Sequence, residues 1–362
     1  MPTRLWFALL LIAGTAAAQD APPDGDEPRV KYGAEFLASG VGARALGMGG
    51  AFVAHADDVT AGYWNVAGLG ALRRAEGAYM HAERFDGAVS FDYAAVALPL
   101  SGRSTVAVSF VRSAVDDIAN TLDAYDPATG LPRPDAADYV TYFSAADNAL
   151  FLSYARDVTG RLSVGASAKV IRRGIGDFAD SWGYSLDVGA RYEVGGVALG
   201  VVVQDAIGMR QVWSVDEAQF ERLEGDERPL GLDDTVEPVV RLGAATTRAL
   251  SPDLALTLAA DLDVEFDGYV ANTLSTGDVL SYRPRAGGEV VYRDVLAFRA
   301  GVSDVTTNEE FGTQVTPSVG AGVRLGALSV DYGFGDFGGL TGELGQSHRV
   351  SVAYRFGAAR GG

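Results

Sequence analysis

Along most of the chain, apolar side chains alternate with small or polar ones at a period of two. This is the pattern of β-strands that present one apolar face. The clearest case is residues 254–266, where one face is apolar and the other becomes acidic. The apolar face consists of Leu254, Leu256, Leu258, Ala260, Leu262, Val264 and Phe266. One such strand fits a soluble β-sandwich as well as a membrane β-barrel, so the whole set of strands is needed to distinguish these two architectures.

Fourteen segments carry this pattern, and most are near or above the ~9–11 residues that cross a bilayer as a tilted strand. They are residues 75–85, 88–100, 103–113, 145–156, 161–173, 181–194, 196–206, 236–249, 253–266, 282–293, 295–304, 314–325, 327–336 and 346–356. An even number of strands of this length is typical of bacterial outer-membrane barrels. The sequence therefore predicts an all-β fold, a transmembrane antiparallel β-barrel of about 14 strands over residues 75–356.

The connections between these segments alternate between short and long. Outer-membrane barrels have short periplasmic turns and longer outer loops, whereas a sandwich has no reason to alternate in this way. The short connections are residues 101–102, 157–160, 195–196, 251–252, 293–294 and 326. The long ones are residues 114–144, 174–180, 207–235, 267–281, 305–313 and 337–345. Only the first hairpin, at residues 86–87, departs from the alternation.

The two faces of each strand differ as the wall of a membrane barrel requires. In the last strand, the residues predicted to face lipid are Val350, Val352, Tyr354 and Phe356. Those predicted to face the lumen are Arg349, Ser351, Ala353 and Arg355. An Arg or Lys on the lipid face near the midplane costs ~2–4 kcal/mol, which keeps the two sets apart. The aromatic end of this strand resembles the C-terminal signal of barrel proteins, and residues 357–362 form a short C-terminal tail.

Charged side chains on the predicted lumen face are the candidates for chemistry. They are Asp261, Asp263, Glu265, Arg299, Arg324 and Arg355. Barrel interiors are polar, so we expect these residues to pair with one another and to hold the segment that precedes the barrel; a catalytic group is the alternative. No P-loop, nucleophile elbow or zinc spacing occurs, and the three histidines, His55, His81 and His348, are widely separated. We predict no enzymatic activity, no metal and no cofactor.

Composition excludes several classes of function. The chain has no cysteine, which rules out thiol catalysis, disulfides and cysteine metal sites. Its net charge of −18 argues against nucleic-acid binding, which needs a basic surface. Two explanations of the acidity remain open: acidic loops that face the outside, and adaptation to high salt. After the N-terminus, no stretch approaches the ~18–20 apolar residues of a spanning helix.

The first residues carry the pattern of an export signal. Residues 1–18 contain Arg4, an apolar core at residues 5–13 and small residues before Gln19, and the core is too short to span a membrane. Residues 19–32 are acidic and rich in proline, which predicts a disordered lead. Together these features predict export through a cleaved signal peptide.

Residues 33–74 are compact, rich in small residues and unlike either neighbouring region. They contain Gly-Ala-Arg-Ala-Leu-Gly-Met-Gly-Gly-Ala at 42–51, Ala-Asp-Asp-Val at 56–59 and Tyr-Trp-Asn-Val-Ala-Gly-Leu at 63–69. This series resembles the N-terminal motif of the PorV/PorQ family, within the wider group of FadL-like outer-membrane barrels. That group usually has Asn-Pro-Ala where this chain has Asn65-Val66-Ala67. The resemblance implies an N-terminal plug, or hatch, whose motif residues are Gly42, Arg44, Gly47, Met48, Gly49, Gly50, Asp57, Asp58, Trp64, Asn65, Ala67 and Gly68.

Two other interpretations of this segment are weaker. Residues 40–45 formally fit the dinucleotide pattern G-x-G-x-x-A, but that pattern needs a βαβ unit, and no strand–helix alternation follows. Asp57 and Asp58 suggest a cation, but two adjacent acids lack the spaced ligands of a calcium loop. Glycines that allow close backbone approach, with Tyr63, Trp64 and Leu69 as buried anchors, fit a segment confined in a lumen better.

The resemblance implies three possible functions in the outer membrane of a Gram-negative-type bacterium. In the first, the barrel acts in type IX protein secretion, with the loops at 114–144 and 207–235 contacting secreted proteins or secretion-system partners. In the second, it admits hydrophobic small molecules, as FadL-like barrels do, through a plugged lumen and a lateral opening. The pocket would then be lined by residues such as Phe52, Tyr63 and Trp64. In the third, it is a structural surface barrel. The motif favours the first slightly.

Overall fold

The structure is a computed structural model of the chain. It describes residues 34–85, 87–100, 103–126, 129–220, 234–266, 274–275, 280–308, 312–336 and 346–357. The predicted signal peptide at 1–18, the lead at 19–32 and nearly all of the predicted tail lie outside these residues, so they stay predictions.

Seventeen strands are present in the described residues. They are β1 (Ala75–Arg84), β2 (Val89–Pro99), β3 (Ser104–Asn120), β4 (Thr141–Asp157), β5 (Leu162–Ile175), β6 (Ala179–Val194), β7 (Val197–Gln204), β8 (Met209–Val215), β9 (Asp234–Val236), β10 (Val239–Ser251), β11 (Leu254–Glu265), β12 (Leu274–Ser275), β13 (Ser281–Tyr292), β14 (Leu296–Asn308), β15 (Gly312–Leu325), β16 (Leu328–Asp336) and β17 (Gln346–Phe356).

Fourteen of these strands close into one antiparallel barrel. Each pairs with the next in the order β1 to β7, then β10, β11 and β13 to β17. The last strand returns to the first, with Ala75 opposite Phe356 and Glu83 opposite His348. The predicted closed barrel of about 14 antiparallel strands is therefore confirmed.

The three additional strands lengthen the wall at one end. β8 continues β7 after a bend at Asp205–Gly208, where Asp205 has a φ of 51° and Gly208 a φ of 67°. β8 pairs with the first part of β6 and with β9, and β9 leads into β10. β12 pairs with the start of β13. We call this end the loop end, and the end with the β2–β3, β4–β5 and similar short connections the turn end.

Helices in the described residues are short. They comprise α1 (Ala43–Gly47), α2 (Ala61–Trp64) and 3-10 helices at Glu35–Ser39, Val66–Ala71, Leu122–Ala124, Ala136–Tyr139 and Glu217–Phe220. None of the described helices has the length and apolar character needed to cross a membrane.

Burial confirms the predicted faces of the barrel. Val350, Val352, Tyr354 and Phe356 are exposed on the outside, whereas Arg349 is only 1% exposed. The same alternation holds in β11, where Leu258 is exposed and its neighbour Thr257 is buried. The outer surface is thus apolar, and polar or charged side chains such as Thr257 and Arg349 lie inside, as a barrel in lipid requires.

The predicted strand segments agree with the barrel strands to within a few residues, except near the loop end. There, residues predicted as loops are strands: β3 continues to Asn120, β4 starts at Thr141, and β8 and β9 lie in the predicted loop 207–235. Strand pairing also enters the predicted long connections 174–180 and 305–313, since β5 and β6 pair as far as Ile175–Ala179 and β14 and β15 pair as far as Asn308–Gly312.

Beyond the bilayer, no lipid imposes an apolar face, so pairing continues without the alternation that the prediction used. A register shift between Val115 and Ile118 in β3 also disturbs the period. Strand length was therefore underestimated where the barrel extends past its apolar belt.

The apolar outer face makes a depth-dependent prediction. Leu258→Arg places a charge in the middle of the outer face of β11 and should lower the free energy of unfolding by ~2–4 kcal/mol. Leu250→Arg, at the exposed turn end of β10, should cost ~0–1 kcal/mol. The measurement is denaturant unfolding from lipid vesicles, and equal costs for the two variants would contradict a lipid-facing β11.

Candidate functional site

Residues 34–72, here called the N-terminal segment, lie against the inner face of the barrel. α1 packs on β14, β15, β16 and β17, and the 3-10 helix Val66–Ala71 packs on β3 to β6. Most of the segment is buried, and Val41, Met48, Phe52 and Leu69 are at most 1% exposed. The segment therefore contacts both sides of the lumen.

Inward carboxylate and hydroxyl groups bind the backbone of the segment. The N–H groups of Phe52 and Val53 donate to Asp261 Oδ2 at 2.6 and 2.8 Å. The N–H of Gly49 donates to Ser318 Oγ at 3.0 Å. These bonds satisfy backbone donors that a short irregular segment cannot pair within itself.

Strands at the seam of the barrel bind the segment as well. The N–H of Val59 donates to Glu76 Oε1 on β1 at 3.1 Å. Arg349 on β17 donates to the carbonyl oxygens of Gly40 and Ser39 at 2.8 and 2.7 Å. The segment is thus held by the two strands that close the sheet.

Arg44 forms the centre of an ion network between the segment and the wall. Its guanidinium lies 2.7 Å from Asp57, 3.2 Å from Asp58 and 3.0 Å from Glu289 of β13. Glu289 also accepts from Arg299 Nε at 2.6 Å. Desolvation raises the pKa of Asp57, but the charge of Arg44, the neighbouring His55 and the hydrogen bond from Arg44 together outweigh it and lower that pKa to about 2. The pair therefore stays ionised at neutral pH.

Glycines let the segment approach the wall. Four pairs of inward glycines face each other across neighbouring strands, and all eight residues meet the segment. The pairs are Gly165–Gly189, Gly200–Gly243, Gly287–Gly301 and Gly320–Gly333. A Cβ at Gly287 would overlap the Met48 carbonyl, and one at Gly301 would overlap the Gly49 nitrogen. Backbone lies directly on backbone at these pairs.

The motif residues hold the segment together. Trp64 Nε1 donates to the Val41 carbonyl at 2.9 Å, and the Asn65 amide donates to Val53 at 2.9 Å. A side chain at Gly68 would overlap the Ala56 carbonyl. These residues therefore act in packing, and the dinucleotide pattern at 40–45 leads into the five-residue helix α1, which belongs to no βαβ unit among the described residues.

The segment separates two cavities in the lumen. Along β13, Arg283 and Arg285 line a cavity of about 110 Å³ on the loop side. Gly287 then touches the segment, and Glu289 and Val291 line a cavity of about 80 Å³ on the turn side. We call these the loop-side cavity and the turn-side cavity.

The two cavities differ in chemistry. Most of the accessible surface of the turn-side cavity is apolar, with Ala78, Met80 and Val291 among its lining residues. Charged residues also line it, among them Glu76, Glu289, Arg299 and Arg324. The loop-side cavity is instead lined by Arg241, Arg283, Arg285, Arg349, Asp263 and Glu265.

The six predicted lumen residues all lie on the inner face, but they do not pair with one another. Their ionic partners come from other inward positions, most of them directly or diagonally opposite on a neighbouring strand. Arg355 binds Glu76, Arg299 binds Glu289 and Asp331, Asp263 binds Arg285 and Arg241, and Glu265 binds Arg283. Asp261 holds the segment, as predicted for the group, and Arg324 lines the turn-side cavity.

The aromatic residues predicted to line a pocket are mainly core residues. Phe52 and Tyr63 each pack edge to face on Trp64. The ring centroids of Phe52 and Trp64 are 6.1 Å apart, and those of Tyr63 and Trp64 are 5.2 Å apart. The Tyr63 hydroxyl donates to the Leu37 carbonyl. Trp64 contributes part of its surface to the loop-side cavity, and Tyr63 contributes part of its surface to a separate neighbouring cavity.

The histidines are not gathered into one site. His55 lies 2.7 Å from Arg44, His81 lies 2.9 Å from Asp92, and His348 lies 2.7 Å from the Tyr332 hydroxyl. Within the described ranges, no group of His, Asp and Glu side chains has the arrangement of a metal site.

Sequence reasoning missed the glycine pairs and the arginines around the loop-side cavity. A signal was present, since each of these glycines occupies an inward position of a predicted strand. The cross-strand register that places them opposite one another is not readable from a single sequence.

No protein-family profile and no curated protein sequence matches this chain. Solved structures do match. The toluene transporter TodX of Pseudomonas putida superposes with a TM-score of 0.54 at 15% identity, covering 88% of this chain and 99% of that chain. The toluene transporter TbuX of Ralstonia pickettii gives 0.53 at 12% identity, with the same coverage of 88% and 99%.

A FadL homologue of Pseudomonas aeruginosa superposes with a TM-score of 0.50 at 14% identity, covering 88% of this chain and 98% of that chain. The fold is FadL-like. At these identities the FadL-like likeness concerns the architecture of the barrel alone, and the narrower PorV/PorQ resemblance of the motif stays a prediction.

The glycine pairs predict a sharp difference between two adjacent residues of β13. Gly287→Ala pushes a methyl group into the Met48 carbonyl, whereas a Cβ at Gly288 meets Leu258 at 3.5 Å and the Thr257 carbonyl at 3.6 Å, both ordinary contacts. Gly287→Ala should therefore loosen residues 47–50 and cost ~1–3 kcal/mol through overpacking. Hydrogen exchange of these amides is the measurement. Faster exchange in Gly288→Ala than in Gly287→Ala would contradict the contact.

Proposed function

We propose that this protein is an outer-membrane channel for small hydrophobic molecules. The observation that carries the proposal is the mostly apolar surface of the turn-side cavity, which contrasts with the arginine-rich lining of the loop-side cavity. A lumen that served only water and ions would have no need of such a surface. Apolar surface in a pocket favours ligands that leave water readily.

The fold supports the same assignment. The solved structures with similar architecture include proteins described as toluene transporters and a monoaromatic hydrocarbon channel. A cavity of ~150 Å³ holds benzene in a protein core, whereas the turn-side cavity measures about 80 Å³. An aromatic ligand of that size therefore needs the cavity to widen, and the long side chains that line it, such as Arg324, can move.

We also propose that the N-terminal segment acts as a plug. Its contacts with strands on opposite sides of the lumen support this role, as do the glycine pairs that let its backbone meet the wall. In this role it keeps the loop-side cavity, which is charged, apart from the turn-side cavity, which is apolar. A molecule that crosses the barrel must then pass the segment at its margins.

The association with type IX secretion stays a second proposal. It rests on the N-terminal motif, and the structure gives those residues a packing role that any plugged barrel needs. The extension of β3 and β4 past the apolar belt favours it modestly, because it offers a surface outside the membrane. The third possibility, a purely structural barrel, predicts no ligand at all.

Filling the turn-side cavity should block passage. Ala297 lines this cavity from β14, and Ala297→Phe should reduce uptake of toluene into cells or vesicles containing the protein by at least ten-fold. The physical reason is that a phenyl ring occupies the volume that the ligand needs. Uptake is measured with radiolabelled toluene in a strain that lacks the endogenous gene.

Ala300→Phe is the matched control, because Ala300 is on the same strand but faces outward. It should leave uptake unchanged. Equal uptake by Ala297→Phe and the unmodified protein would contradict transport through the cavity. Loss of surface-attached secreted proteins in the deletion strain, with normal toluene uptake, would support the secretion role instead.

A further inference from the structure

The loop-side cavity has a charge unlike that of the chain as a whole. Four arginines line it, Arg241, Arg283, Arg285 and Arg349, together with Asp263 and Glu265. Its ionisable lining thus carries a net charge of +2, whereas the whole chain carries −18. A concave site lined by one sign of charge focuses its field and concentrates ions of the opposite sign.

The two carboxylates are already engaged by three of the arginines. Asp263 binds Arg285 and lies 3.2 Å from Arg241 Nε, and Glu265 accepts from Arg283 Nη2 at 3.1 Å. These ion pairs therefore leave the lining of the loop-side cavity with a net positive charge. A network built only for stability would be expected to balance its charges.

Arg349 has no acidic partner among the described residues. It donates to the backbone carbonyls of Ser39 and Gly40, which are neutral. The residue is nevertheless almost fully buried, with only 1% of its surface exposed. A buried guanidinium without a counter-ion is costly unless an anion approaches it.

Two buried N–H groups without an acceptor also belong to arginines that line the loop-side cavity. Nε of Arg349 and Nη1 of Arg241 are buried and have no hydrogen-bond acceptor. Arg241 is 7% exposed, and both side chains line the loop-side cavity. Thr316 and Ser318 line it too, and their hydroxyl groups can donate to an anion.

We propose that the loop-side cavity is a binding site for a small oxyanion, with Arg349, Arg241 and Arg283 as its cationic ligands. Sulfate, phosphate and carboxylate share the geometry that guanidinium groups recognise. Rings of Arg or Lys select anions in other membrane pores by the same means. The site is on the opposite side of the segment from the turn-side cavity and does not depend on hydrocarbon transport.

The test is calorimetric titration of the purified full-length barrel in a non-ionic detergent. Sodium sulfate and sodium phosphate are the probes, and sodium chloride at equal ionic strength is the reference. Saturable binding of sulfate or phosphate, absent with chloride, is the expected result. Acetate and octanoate form a further arm: octanoate binding at least ten-fold tighter than acetate identifies the headgroup of an amphiphile, and equal binding identifies a free ion.

Arg349→Gln should weaken sulfate or phosphate binding at least ten-fold, and Arg349→Lys should retain part of it because the charge remains. Arg191→Gln is the matched control, since Arg191 also binds a segment carbonyl, that of Ala54 at 2.9 Å, but lies away from the cavity. If Arg349→Gln fails to fold, Arg283→Gln replaces it, because Arg283 is the least buried of the three proposed ligands.

Two results would overturn the proposal. One is the absence of saturable binding of any oxyanion to the unmodified protein. The other is an equal loss of affinity in Arg191→Gln and in the Arg349 or Arg283 variant, which would assign the effect to the segment and not to the cavity.

Discussion

The requirement that the sheet close on itself governs the rest of this structure. A backbone N–H or C=O left unpaired in lipid costs several kcal/mol, so a membrane-spanning sheet has no tolerance for free edges. Here β17 returns to β1 along nearly its whole length, from Ala75–Phe356 to Glu83–His348. Closure then sets the lumen width through strand number and tilt. Whatever fills the lumen has to fit a space fixed by the wall.

The N-terminal segment fits that space by two different means. On the side of β5 to β16, paired glycines bring its backbone onto the wall, as Gly287 and Gly301 do for residues 48–49. At the seam, larger groups fill the gap, with Met80 and Tyr93 buried beside it. Ionic contacts such as Arg44–Glu289 then fix its level along the barrel axis. The close approach of the segment to the wall depends on glycines, which lack side chains, and the position of the segment along the barrel axis depends on ion pairs.

The sequence was sufficient to predict the barrel because lipid imposes a strict period of two on every spanning strand. Arg349 directly precedes Val350, which belongs to the apolar face, so the period of two places Arg349 on the inner face. The loop end escaped prediction because that constraint ends where the bilayer ends. The pairing of Arg44 with Glu289 could not be predicted either, because 245 residues separate them and only the register of β13 brings them together.

The manner in which the segment is held also limits how far it can move within the barrel. Among the hydrogen bonds that join its backbone to inward side chains of the wall, seven come from Glu76, Asp261, Ser318, Arg349 and Ser351. At ~0.5–1.5 kcal/mol each, they alone oppose expulsion of the segment by roughly 4–10 kcal/mol. Since 1.4 kcal/mol is about a factor of ten, the expelled state is populated at ~10⁻³ or less. Expulsion of the segment is therefore rare. The contacts themselves differ around the barrel: at the seam the segment meets side chains such as Met80 and Tyr93, whereas at Gly287 and Gly301 any displacement would have to move backbone against backbone.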